Sequence, residues 1–203
     1  MQWLEKAYQF ANKAHQNQLR KTLPSHNTPC PYIAHPMDVA ATLMKYGAPK
    51  EVVVAGLLHD TVEDTSTTLE EIKENFGEEV AELVRFATES AKLSPSTQPL
   101  DKKLTWRQRK EETIAKIKTA TYPQKLLACA DKLCNLKDIW AEQMELGQKV
   151  WTKFNAPKAD QKWYYQSLLE AFTSPPHSLQ NSGLFLQLRF FVELTFSNQN
   201  RPE

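Results

Sequence analysis

Residues 51–65 read EVVVAGLLHDTVEDT. Seven uncharged residues, Val52 to Leu58, run directly into His59, Asp60, Glu63 and Asp64. Pro49 stands just ahead, and a proline in the first helical turn loses no backbone bond, so the stretch is expected as one helix opening at Pro49. A surface helix needs only one apolar stripe. The first two turns here are apolar all round and must be buried on most sides, which places this segment at the centre of a helical packing. Its far end gathers three carboxylates where the macrodipole already carries negative charge. A bound cation would turn that liability into an attraction. The plainer alternative has Asp60, Glu63 and Asp64 fraying into solvent, with His59 hydrogen-bonded at the core edge.

Outward from this stretch the chain keeps the same character. Trp3, Ala7, Phe10, Ala11 and Ala14 give a first amphipathic helix ending near Gln16. Residues 18–34, with Pro24, Pro29 and Pro31, form a loop that carries Arg20 and Lys21. A second helix is expected from Pro36 to Gly47. Thr68 and Glu71 make a capping box for a short helix closed by Gly77, followed by the amphipathic EEVAELVRFATES. Residues 92–104 read as an exposed linker, after which TWRQRKEETIAKIKTA resumes helical spacing. Pro123 opens PQKLLACADKLCNLKDIWAEQMELG, and two further helices flank Pro175 and Pro176. With no alternating strand pattern, the expected fold is an all-α single domain over residues 1–203, built from roughly eight to ten helices.

Composition narrows the function. In 203 residues, 25 Lys and Arg nearly cancel 24 Asp and Glu, leaving +1. No bulk field points to nucleic acid or an anionic membrane, so recognition of a charged ligand must be local. The three cysteines include no C-x-x-C, and Cys129 and Cys134 read as buried free thiols in a reducing cytoplasm. No apolar run approaches the roughly 18 residues of a membrane span. The five glycines form neither a Walker nor a dinucleotide fingerprint.

Two more residues extend the chemistry at His59 and Asp60. His35 lies just before Pro36, and Asp131 sits inside the apolar LLACADKLCNL, where an unpaired carboxylate costs several kcal/mol. Asp131 therefore needs a cation. Imidazole nitrogens from His35 and His59 with oxygens from Asp60 and Asp131 suit Mn²⁺, Fe²⁺ or Zn²⁺ and leave coordination positions open, which favours catalysis over a structural role.

PYIAHPMDVA, then LLHDTVEDT with its His 24 residues after His35, then ADKLCNLKDI, preceded by Arg20 and Lys21, resembles the HD-superfamily hydrolase domain of the RelA/SpoT homologues. The likeness is closest to the stand-alone small alarmone hydrolases and strongest over residues 7–140, with the C-terminal helices of 148–197 outside it. The resemblance implies an HD-domain helical bundle that binds one Mn²⁺ through His35, His59, Asp60 and Asp131. It implies that Glu63 and Asp64 position and activate the attacking water. Arg20, Lys21, Thr22 and Asn135 correspond to substrate-binding positions, the arginine against the base and Asn135 near the sugar. The implied reaction removes the 3′-pyrophosphate of (p)ppGpp or (p)ppApp; the only partner it calls for is this small-molecule nucleotide. Other readings are a different HD phosphohydrolase, acting on a nucleotide monophosphate, a dNTP or the 2′-phosphate of NADPH, and a non-catalytic alarmone-binding regulator.

The chain departs from the family in a longer loop between Lys21 and Pro31. The C-terminal aromatics Trp151, Phe154, Trp163, Tyr164 and Tyr165 are read as helical core, and Arg107, Arg109 and Lys110 as a solvated helix face. His15 and His177 are expected at the surface or core edge rather than as ligands.

Overall fold

A computed structural model describes residues 2–20, 28–88 and 106–197. The expected linker at 92–104 and the site candidates Lys21 and Thr22 lie outside the described residues. Within them the chain is helical: α1 (Gln2–Ala14), α2 (Ala34–Lys45), α3 (Lys50–Leu58), α4 (Thr61–Asp64), α5 (Leu69–Phe76) and α6 (Glu78–Ala87) come first. Then follow α7 (Trp106–Lys118), α8 (Tyr122–Leu146), a 3₁₀ turn (Gly147–Lys153), α9 (Lys158–Thr173) and α10 (Gly183–Phe196). The all-α expectation stands; the one β-type pairing among the described residues is an isolated antiparallel bridge between Leu19 and Pro31. No described helix is long and apolar enough to cross a membrane.

Local signals set many of the helix ends. Thr68 and Glu71 exchange the two bonds of a capping box at the start of α5. Gly47, Gly77 and Gly147 each take positive φ where a helix stops. Pro49 caps α3, and Pro123 lies in the first turn of α8.

Every residue from Val52 to Leu58 is buried, since α1, α2, α6 and α8 all pack against α3. Each of its valine and leucine side chains contributes about 1.5–3 kcal/mol of gross burial. Gly56 lets α2 and α3 approach closely: a Cβ there would lie 2.7 Å from Leu43 Cδ1 and 3.4 Å from Val39 Cγ1. The spine is α8, whose 25 residues span about 37 Å at 1.5 Å per residue. It touches α2, α3, α6, α7, the 3₁₀ turn and α10.

The expected single helix from Pro49 through Asp64 is instead broken. α3 stops at Leu58, His59 and Asp60 form a turn, and α4 is only four residues long. Side chains take over carbonyls that a continuous helix would use: His59 Nδ1 bonds Gly56 O at 2.9 Å, and Thr61 Oγ1 donates to Leu58 O at 2.7 Å. Such side chain-to-backbone bonds compete with the helical ladder and end it at the residues that carry the chemistry.

Candidate active site

Three elements deliver the candidate ligands. His35 comes from the first turn of α2, His59 and Asp60 from the break after α3, and Asp131 from the middle of α8. His35, His59 and Asp131 each present a ligand atom within 4.8 Å of the others. His35 Nε2 lies 3.2 Å from Asp131 Oδ1 and 3.8 Å from Asp60 Oδ2. His59 Nε2 lies 3.1 Å from Asp60 Oδ1 and 3.8 Å from Asp131 Oδ1. Three of the sequence-predicted four, His35, His59 and Asp131, therefore converge with both imidazoles buried, and Asp60 borders the group, turning Oδ1 to His59 and Oδ2 to His35.

The donor set fits a divalent cation. With the Nδ1 proton of His59 given to Gly56 O, its Nε2 lone pair faces the oxygens of Asp60 and Asp131. Lone pairs aimed at one another repel unless a proton or a metal lies between them. In the metal-free chain a proton does so. Burial disfavours the charged imidazole, but the charge and hydrogen bond of Asp60, aided by Asp131, raise the His59 pKa to about 9. Burial likewise pushes the Asp60 carboxyl up, and His59 overcomes it and brings the carboxyl down to about 2.

Asp131 is not left to a metal alone, as the apolar run around it had suggested. Lys132 Nζ donates to its Oδ2 at 2.7 Å, and Asn135 Nδ2 donates to its Oδ1 at 2.5 Å. Against the penalty of burial, the Lys132 charge and the His35 contact hold this carboxyl well below the usual range. Lys132 and Asn135 thus hold and orient the Asp131 carboxylate. Lys132 went unnoticed in the sequence because an adjacent lysine on a helix normally diverges from its neighbour.

A second group missed in the sequence is Tyr32. Its hydroxyl donates to Asp60 Oδ2 at 2.8 Å, with Asp64 Oδ2 3.2 Å away. Burial, then the Asp60 charge, raises its pKa, so the phenol stays protonated as a donor. The His15 ring lies against it, centroids 4.8 Å apart. His15 Nδ1 meets Gln18 Oε1 at 2.8 Å, and Gln18 Nε2 donates to Asp64 O at 2.6 Å. His15 is buried and serves this supporting layer rather than the surface; His177 is exposed, as expected. Glu63 and Asp64 lie on α4, one turn past the ligands, with Glu63 half-buried and Asp64 exposed.

A cleft of about 560 Å³ opens beside this cluster. Lys132, Asn135, Asp138 and Glu142 of α8 line one side, and Tyr32 and Arg20 join them. Arg20 is paired with Asp138 at 2.6 Å, so it enters the wall as a held guanidinium. Phe154, Tyr164 and Tyr165 also line the cleft, giving the C-terminal aromatics a second role beyond core packing. Lys110, expected on a solvated face, belongs to the cleft wall, while Arg107 is exposed and stacks on Trp163. Cys129 and Cys134 are buried free thiols, and burial raises the Cys134 pKa to about 11.

The chain matches a family model described as HD domain over residues 7–160. It is 38% identical over 150 residues to a guanosine-3′,5′-bis(diphosphate) 3′-pyrophosphohydrolase of Aquifex aeolicus, covering 72% of this chain and 19% of that protein. The chain thus spans about a fifth of that relative's length. A protein of the same description from Xenopus tropicalis is 38% identical over 146 residues, covering 68% of this chain and 73% of that one. A crystal structure from Listeria monocytogenes superposes with a TM-score of 0.69 at 36% identity, covering 80% of this chain and 98% of the other.

Proposed function

The chain belongs to the HD-domain family, and from that membership we propose that it is a stand-alone alarmone hydrolase of the RelA/SpoT type. Its substrate is guanosine 3′,5′-bis(diphosphate) or the adenine counterpart, taken up as a free nucleotide in the cytoplasm, with neither nucleic acid nor membrane as partner. The observation that carries this reading is that Lys132 and Asn135 both hold Asp131 and line the nucleotide-sized cleft. A ligand lying along α8 therefore brings its phosphate end to the His/Asp cluster.

His35, His59, Asp60 and Asp131 would hold one Mn²⁺. When bound, that ion polarises a phosphoryl oxygen and lowers the pKa of water at the site. Lys132 and Asn135 keep Asp131 charged and oriented, and Tyr32 does the same for Asp60. Glu63 and Asp64 would orient the attacking water and take its proton. The water oxygen bonds to the phosphorus nearest the ribose, and the bond from that phosphorus to O3′ breaks. O3′ leaves with the electron pair and is protonated, giving a 3′-hydroxyl nucleotide and pyrophosphate. Arg20, Lys21, Thr22 and Asn135 hold the nucleoside, so the inner phosphorus is the one presented.

The test is product analysis by ³¹P NMR with purified protein, Mn²⁺ and, separately, ppGpp, pppApp and NADPH. Pyrophosphate as the first product from an alarmone, lost on chelation and restored best by Mn²⁺, is expected. Orthophosphate as the first product, or turnover of NADPH alone, would transfer the chain to another HD phosphohydrolase activity. Binding of ppGpp without turnover in Mn²⁺ would make it a regulator.

A further inference from the structure

A second, smaller cavity borders the cluster. Its volume is about 40 Å³, and His59, Asp131, Lys132, Thr113 and Lys116 line it beside the apolar Phe86 and Leu127. A single water needs about 10–15 Å³ on this measure, so the space suits a group of a few oxygens. Lys132 borders both this cavity and the cleft. Lys116 reaches it from α7, half-buried over the Phe86 ring, 4.9 Å from its centroid. Its Nζ donates to the carbonyl of Thr88 across a long 3.3 Å.

We propose that this cavity is the subsite for the outer phosphate of the 3′-diphosphate, with Lys116 as its cation. The inference rests on the alarmone-hydrolase reading and extends it to the part of the substrate that leaves. Two lysine ammoniums beside an apolar wall match the chemistry of a phosphate, and the Asp131 carboxylate that also borders the cavity is held by Lys132. Burial and the nearby Arg85 disfavour charge on Lys116, while Glu63 favours it; an anion in the cavity offsets the first two. The cleft then measures the nucleoside, and the small cavity measures the number of 3′-phosphates. A nucleotide with one 3′-phosphate leaves it unfilled and forfeits the Lys116 contact. Lys116 contributes to selection of the 3′-diphosphate, whereas the cluster acts on the inner phosphorus.

Calorimetry on the full chain loaded with Mn²⁺ tests the subsite without turnover, using pyrophosphate and orthophosphate as probes. The wild type is expected to bind pyrophosphate about tenfold or more tighter than orthophosphate, the weight of one charge-assisted contact. Lys116→Met is expected to remove that preference and leave orthophosphate binding within about twofold, while Lys116→Arg retains most of it. Lys116→Gln, which can still bond Thr88 O, gives the same reading if the methionine variant does not fold. An unchanged pyrophosphate preference in the neutral variants, or no preference in the wild type, overturns the subsite. A wild type that shows the Lys116-dependent preference yet fails to hydrolyse ppGpp overturns the activity and leaves the subsite standing.

Discussion

The Tyr32 hydroxyl donates to Asp60 Oδ2 across 2.8 Å, joining the loop ahead of α2 to the break between α3 and α4. Twenty-eight residues separate the two in the chain. The bond fixes one Asp60 oxygen, and the other, Oδ1, stays beside His59 Nε2.

Tyr32→Phe keeps the ring against His15 and deletes that bond together with the hydroxyl's longer contact to Asp64 Oδ2. Supporting bonds of this kind are worth about 10–100-fold in metal affinity. The variant is expected to fold with an unchanged circular dichroism spectrum and to bind Mn²⁺ that much more weakly by calorimetry. Unaltered affinity would remove Tyr32 from the support of the site.

Metal uptake is expected to release about one proton near pH 7.5, because the metal displaces the proton that His59 shares with its carboxylates. The His59 pKa rises from 6.5 to about 9 in the metal-free fold. Its contribution to stability is fully present below pH 6.5 and disappears as the pH rises through about 9. The metal-free protein should therefore lose melting temperature across that interval and the Mn²⁺-loaded protein should lose less. Calorimetry in buffers of different ionisation enthalpy counts the proton, and a count of zero contradicts the assignment.

Glu63→Gln preserves shape and removes the proton acceptor. Bound metal should be retained while kcat falls by about 10²–10⁴. Metal content measured by atomic absorption separates this outcome from ligation: if metal and activity fall together, Glu63 is a ligand.

Gly56→Ala inserts a methyl at 2.7 Å from Leu43 Cδ1 and 3.4 Å from Val39 Cγ1. Overpacking of this kind costs about 1–3 kcal/mol. Because Gly56 O also orients His59, Mn²⁺ affinity should drop together with the denaturation midpoint. Wild-type stability would mean that α2 and α3 tolerate separation.

The features legible in the sequence are those fixed by near neighbours. The Thr68/Glu71 box and the glycines ending α2, α5 and α8 depend on three or four residues, and the Val52–Leu58 run can only be a buried helix. The His35, His59, Asp60 and Asp131 set was legible through its spacing and family resemblance. The interruption at His59 was not, because extending the helix or giving its carbonyls to His59 and Thr61 differs little locally; tertiary contacts decide. The same applies to Tyr32, whose partner Asp60 lies 28 residues away and meets it only in the folded chain.

Arg20 N donates to Cys30 O, and Tyr32 N to Gln18 O, each at 2.9 Å, around the Leu19–Pro31 bridge. These rungs bring both ends of the long intervening segment to one place, so its length and the site's geometry vary independently. Doubling such a loop costs only about 0.6 kcal/mol of closure entropy. Insertions or exchanges between Arg20 and Cys30 are thus expected to leave the Tyr32–Asp60 bond in register.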